Sequence, residues 1–408
     1  MDEASRATTL NRRTLLRYGL GTLGATALGT TVLSSCSSDA KTTGSGPSTS
    51  AAPPTSASSG GASLLRAAKK EGRLTTAAVG VPFSYYAPVV EAFQKFAGFD
   101  VDLQHPTYPA TSEVYDLAEA KKGKMKPPYD VVEVTQSTAE QAHGQDLLDP
   151  YVSSLWVDIP SLFKDADGYW SAAYYGLVSF IVNSDATGGF VPQSWDELAH
   201  SSKTPKGSFA MLGDPRTGQP LEGGLGLLTV MSAAIANGGS VDDVGPGLDL
   251  LGELAKKGIF ELKDPTSLLA LPDDAGTKKT PINVLYSFDL PLAQHSGSGE
   301  GATVEGHAPS DGLVAGFYPQ AIAAGAQHPS AAQLWIEFLQ SDQAAALFLA
   351  NGAIPTRASA IRDGGAKELK AALPAEGELD APVPSPSQIA AAQKTIDEKW
   401  ADAIPAAK

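Results

Sequence analysis

Short runs of aliphatic and β-branched residues alternate with segments of helical period from Leu74 onward, and this alternation leaves few folds open. Leu74–Val81, Val101–Gln104 and Tyr129–Val134 have the length and side-chain type of strands. Between them, Tyr86–Phe96 and Ser112–Lys122 place apolar residues at helical spacing. This is the βαβ rhythm of a parallel sheet, and the chain reads as α/β. Tyr174–Asn183 is a longer strand, with Ser208–Leu212 and Ile282–Phe288 following. Ser194 to Glu197 and Ser330 to Gln333 read as capping boxes, each just after a proline. The second should open a helix carrying Leu334, Trp335, Phe338 and Leu339, which Asn351-Gly352 should stop. Leu373–Gln388 is rich in proline and acid and reads as a loop or belt.

The N-terminal segment has a different character. Arg12, Arg13 and Arg17 precede an uncharged, glycine-diluted apolar run, Tyr18 to Leu33. That pattern reads as an export signal over residues 1–35, too short for a membrane span. The arginine pair resembles a twin-arginine signal; a Sec signal is the alternative, because Asn11 replaces the usual Ser or Thr. Leu33-Ser34-Ser35-Cys36 matches a bacterial lipobox and holds the only cysteine of 408 residues. Cys36 is therefore expected to be a lipid attachment point, and disulfides and cysteine metal sites drop out. Ser37–Ala62 contains no Val, Ile, Leu, Met or aromatic residue. With Cys36 it forms a tether over 36–62, with a reach of roughly 25–30 Å.

The remaining body suffices for about two domains. The net charge of −15 falls to −17 without the signal, which argues against nucleic acid as a partner. The cluster Lys121 to Lys126 reads as a solvated helix end. No G-x-S-x-G or H-E-x-x-H occurs, so the common hydrolase signatures are missing. The six histidines are scattered; His295 and His307 with Asp311 are a metal alternative to solvated loop histidines.

The order of certain pieces resembles the extracellular solute-binding proteins of ABC importers, in the ferric-iron, thiamine, polyamine and phosphonate group. "AAKKEGRLTTAAVG" (67–80) resembles their first helix and strand. "YDVVEV" (129–134) and "LLDPY" (147–151) resemble the next strand and the segment after it. "YYGLVSFIVNSD" (174–185) with "VPQSWDEL" (191–198) is similar to a crossing between lobes. "LGDPRTG" (212–218) with "GGLGLL" (223–228) is similar to a second-lobe strand and pocket loop. Residues 308–348 resemble the return crossing and a long helix. The resemblance implies a two-lobed periplasmic-binding-protein-like fold, with a helix-flanked central sheet in each lobe and extended hinge strands. The lobes are expected at 63–177 and 178–312, with 313–408 returning to lobe 1 and its C-terminal helices packing across both.

Five segments are expected to face the cleft. Tyr85 and Tyr86 offer phenol oxygens to a metal or ring faces to a cation, with packing on the next helix as the alternative for Tyr86. Gln136 and Ser137, in Thr135–Thr138, stand at a helix start that suits an anionic or polar group, or is an ordinary N-cap. Of Tyr174 and Tyr175, strand alternation turns one to the cleft, and Tyr175 is taken as the candidate. Arg216 suits a carboxylate or phosphonate and Asp214 an amine, against a plain proline turn. The last segment holds Tyr286, Phe288 and Asp289. Relatives that bind ferric iron carry a tyrosine pair where Phe288 and Asp289 stand, so the usual phenolate pair is broken here. Tyr85, Tyr175, Tyr286 and Asp289 leave a different oxygen-rich site open.

The resemblance implies a receptor, not an enzyme, that captures a small polar ligand and delivers it to a membrane permease. An organic cation such as thiamine or a polyamine fits Asp289 beside aromatic rings; ferric iron or a lipid-anchored hydrolase are the alternatives. No cofactor, metal or nucleic acid is expected. The protein is expected to be a monomer, exported and lipid-anchored to the outer face of the cytoplasmic membrane.

Overall fold

The computed structural model describes residues 61–77, 85–104, 110–212, 215–217, 224–263, 280–295 and 302–404. The signal, Cys36, most of the tether and Asp214 lie outside these residues. The chain opens with α1 (Gly61–Glu71), β1 (Leu74–Ala77), α2 (Ala87–Ala97), β2 (Val101–Gln104), α3 (Ala110–Lys122), β3 (Val131–Glu133), α4 (Gln136–Gly144) and β4 (Leu148–Asp149). The long strand β5 (Tyr174–Asn183) follows, then α5 (Trp195–His200), β6 (Phe209–Leu212), α6 (Leu225–Ala236), α7 (Gly245–Lys256) and β7 (Phe260–Lys263). Next come β8 (Ile282–Tyr286), α8 (Leu290–His295), β9 (Val304–His307), β10 (Ala315–Gly316), β11 (Gln320–Ala323), α9 (Pro329–Leu339) and α10 (Asp342–Ala350). The chain closes with β12 (Ile354–Pro355), α11 (Ala358–Gly364), α12 (Lys367–Ala372), α13 (Glu376–Leu379) and α14 (Pro386–Ala403).

Two sheets organise these elements. The first has the order β2-β1-β3-β11-β4, with β1 parallel to β2 and β3, and β11 antiparallel to β3 and β4. The second runs β10-β5-β8-β6-β7, with β9 and β12 also pairing with β5. Strand β5 is buried along all ten residues, as its near-continuous apolar sequence requires. It pairs antiparallel with β8, Val178 facing Tyr286 and Val182 facing Ile282.

Alternation along the strands divides the core. Val131 and Ile322 of the first sheet join a large cluster that runs through Tyr86, Tyr174 and Phe288 to Phe180 and Trp195 of the second. Val132, Ala321 and Ala323 turn to the opposite face and pack with Leu117, Tyr129 and Phe163. Trp195 fits because residue 312 is glycine: a Cβ there would lie 2.7 Å from the indole Cδ1.

Two helix boundaries differ from the sequence reading. Ser330 does not cap α9: His328 is the N-cap residue and Pro329 the first helical residue. The first-turn N–H groups of Ser330 and Ala331 instead donate to the Glu71 carboxylate of α1, at 3.1 and 2.8 Å. A carboxylate at a helix N-terminus satisfies orphan donors and the helix dipole together. The segment up to Asn351 is also two helices, because Ser341 caps α10 by accepting from the Ala344 N–H. Ser194 does cap α5, accepting from the Glu197 N–H, while the Glu197 carboxylate accepts from Gln193 and not from Ser194.

Candidate functional site

Strands β3, β5 and β8 bring their polar residues to one place between the two sheets. Glu133 ends β3, Tyr174 begins β5, and Tyr286 ends β8, followed by a 3-10 turn over Ser287–Asp289. Tyr85 and Tyr86 precede α2, and Tyr318 precedes β11. Their rings form one aromatic cluster. Tyr85 lies 4.4 Å from Phe288 and 5.1 Å from Tyr174, between ring centroids. Tyr286 stacks on Phe288 at 4.8 Å, and Tyr86 stacks on Trp335 at 6.0 Å. Phe288 can lie against β5 because residue 176 is glycine; a Cβ there would meet its ring carbons at 2.4 and 2.5 Å.

A chain of hydroxyls leads into this cluster. The Tyr174 hydroxyl donates to the Glu133 carboxylate. It is also 2.5 Å from the Tyr85 hydroxyl, which therefore donates to it. The Gln320 side chain hydrogen-bonds Glu133 and donates to the Tyr86 hydroxyl. The hydroxyls of Tyr286 and Tyr318 bond each other. Asp289 accepts the Tyr286 backbone N–H at 3.0 Å.

Burial disfavours charge on all of these groups. It raises Glu133 to about 8, opposed by the Tyr174 and Gln320 hydrogen bonds. It raises Asp289, which keeps a little exposed surface, to about 7. Tyr85, Tyr86 and Tyr174 are pushed well above ordinary tyrosines by burial first and by Glu133 second, and Tyr318 by burial first, then Tyr286 and Asp289. Among the described residues, no lysine, arginine or histidine acts on any of them. The cluster is thus acidic and aromatic with no cation of its own, and such a site attracts a positive group.

Beside it lies a cavity of about 270 Å³. Thr135, Gln136 and Ser137 line one side, Tyr286 and Tyr318 another, and Gln393 of α14 a third. Thr135 is an ordinary N-cap, accepting from the Thr138 N–H, and this leaves Gln136 and Ser137 to the cavity. Gly224, at the uncapped start of α6, also opens on it. Two helix N-termini therefore face the same space, which suits a polar or anionic group.

The structure brings together Tyr85, Tyr86, Tyr286, Phe288 and Asp289, with Gln136 and Ser137 on the adjoining cavity. Tyr175 is placed elsewhere: it stacks on Phe163 at 5.2 Å and joins the opposite core. Its neighbour Tyr174 is the one that meets Tyr85. Arg216 is exposed in the turn Pro215–Thr217, whose Pro215 carbonyl accepts from Gln393. Sequence reasoning chose Tyr175 of its alternating pair rather than Tyr174, and passed over Glu133, Tyr318 and Gln393. Glu133 had a signal, as the lone charge inside the apolar strand "VVEV". Tyr318 and Gln393 had none, since only the packing of distant segments selects them.

Known proteins agree with this architecture. The periplasmic binding protein AfuA from Actinobacillus pleuropneumoniae, solved with fructose-6-phosphate, is 19% identical, with 82% of this chain and 99% of that chain covered and a TM-score of 0.56. Iron-bound HitA from Pseudomonas aeruginosa is 17% identical over 80% of this chain and 99% of that chain, with a TM-score of 0.53. A periplasmic thiamin binding protein is 17% identical over 81% and 96%, with a TM-score of 0.54. These likenesses show a two-lobed binding-protein fold with a sheet in each lobe. No curated protein matches the chain. None of the described helices is long and apolar enough to cross a membrane. The pattern of bacterial extracellular solute-binding proteins matches residues 89–375, and the chain belongs to that family.

Proposed function

We propose that this protein is the receptor of an ABC importer and that its ligand is a small polar organic molecule carrying a positive group. The observation that carries the reading is the pair of carboxyls Glu133 and Asp289, set among aromatic faces, on which no cationic side chain of the described residues acts. A desolvated cation–π contact with Tyr85 or Phe288 is worth about 2 kcal/mol. The helix starts at Gln136 and Gly224 suit a second, polar or anionic end of the same ligand. Thiamine, polyamines and aminophosphonates all have this general make-up.

The receptor does no chemistry in this reading. The lobes, 63–177 and 178–312 with 313–408 returning across them, close on the ligand and present it to the permease. Tyr85 and Glu133 hold it from one lobe, and Asp289 from the other. Lipid on Cys36 and the tether keep the monomer at the outer face of the cytoplasmic membrane; incorporation of labelled fatty acid, abolished by Cys36→Ala, tests that anchor.

Calorimetry with thiamine, putrescine, aminoethylphosphonate and ferric citrate tests the ligand class. Micromolar or tighter binding of an organic cation is the expected result. Binding of ferric iron alone, with a tyrosinate charge-transfer band, rejects it.

A further inference from the structure

A second acid lies behind Glu133 and nothing in the binding scheme uses it. Glu113, on α3, has no exposed surface. Its Oε2 accepts the Glu133 backbone N–H at 3.2 Å, and its Oε1 has no hydrogen-bond partner. An ionised carboxylate in that position would be an unpaired buried charge, which costs several kcal/mol. Among the described residues, the groups that face the pair are all neutral or acidic. Tyr85 and Tyr86 come from the start of α2, Tyr174 from β5, Gln320 from β11, and Asp116 from α3 itself. Asp289 joins them from the end of β8 through Tyr85.

We propose that Glu133 is a neutral carboxylic acid in the empty site and releases its proton when a ligand cation takes its place, with Glu113 held protonated behind it. Capture is then an exchange of one cation for one proton. The inference rests on the organic-cation reading above. The proton leaves the Glu133 carboxyl and ends on solvent or buffer, and the ligand's positive charge replaces it beside the carboxylate. The route is the hydroxyl chain already described with its donors turned round: Glu133 donates its proton toward Tyr174, and Tyr174 donates to Tyr85, whose ring is partly exposed.

Burial raises Glu113 well above an ordinary glutamate, and the Glu133 charge raises it further. The two carboxyls titrate as a coupled pair. With Glu133 near 8, about 0.9 proton should be released per cation bound at pH 7.

The experiment is calorimetric titration of the full chain with thiamine and with putrescine, at pH 7, in phosphate and in Tris. The difference in apparent enthalpy between the buffers counts the protons released. Wild type should release about one proton or a little more, and Glu133→Gln, where it still binds, should lose the Glu133 share and keep at most the roughly half proton that Asp289, raised to about 7, still holds at pH 7. Glu113→Gln, a neutral shape mimic, should bind and release as wild type does. Cation binding with equal apparent enthalpies in the two buffers overturns the exchange and leaves the organic-cation reading standing. A Glu113→Gln variant with a changed proton count shows that Glu113 is charged and overturns its part. Infrared spectra of the ligand-free chain supply a readout that needs no ligand. A protonated-carboxyl band should bleach as pH rises through about 8 and lose that component in Glu133→Gln. Its absence at pH 6 overturns the proposal; its presence with neither cation binding overturns the ligand reading alone.

Discussion

The ligand-free protein should lose stability as pH rises from about 5 to about 8.5, and Glu133→Gln should remove much of that loss. The sign follows from burial. Glu133 is raised from 4.5 to about 8 in the folded chain, so the folded state holds a proton that the unfolded chain gives up at lower pH. Its contribution is complete below about pH 4.5 and vanishes as pH passes through about 8. A shift of that size corresponds to about 4–5 kcal/mol at most, at about 1.36 kcal/mol per unit. Relaxation and water entry around the carboxylate reduce this, so a loss of about 2 kcal/mol or more is expected. Asp289, raised from 3.8 to about 7, adds to the slope in both proteins. The assay is urea denaturation of wild type and Glu133→Gln at half-unit pH steps. At pH 5 the two should be similar, or the variant weaker through its altered bond from Tyr174. At pH 8.5 the variant should be the more stable by about 2 kcal/mol. Parallel curves across the whole range would refute the reasoning, because they would mean that Glu133 titrates alike in the folded and unfolded chains.

Three further outcomes test other parts of the structure. Asp289→Asn should weaken a cationic ligand tenfold or more, on the order of 1.4 kcal/mol, by calorimetry; unchanged affinity would remove Asp289 from the site. Gly176→Ala drives a methyl group into the Phe288 ring and should lower stability by about 1–3 kcal/mol in urea, with Phe288→Leu in the same chain recovering part of it. Glu71→Ala uncovers the first turn of α9 and should cost about 1 kcal/mol, whereas Ser330→Ala, outside the cap, should cost far less.

Much of the architecture is local and is legible in the chain. Hydrophobic period and β-branched content placed β5 at Tyr174–Asn183, the bounds the structure has, because a strand buried on both faces must be apolar throughout. The same reasoning found α2, β2 and the cap at Ser194 to within a residue or so. What the sequence could not decide was which distant groups meet. Alternation required Tyr174 and Tyr175 to face opposite ways, but only the packing of distant segments set Tyr174 toward Tyr85 and Tyr175 toward Phe163. The start of α9 was settled by a carboxylate about 260 residues earlier in the chain, which no local motif records. The acidity of the site has the same origin. Glu133 and Asp289 are ordinary carboxyls in the unfolded chain, and only the burial created by packing β3, β5 and β8 together, with no cation among the described residues there, lifts their pKa values toward neutrality.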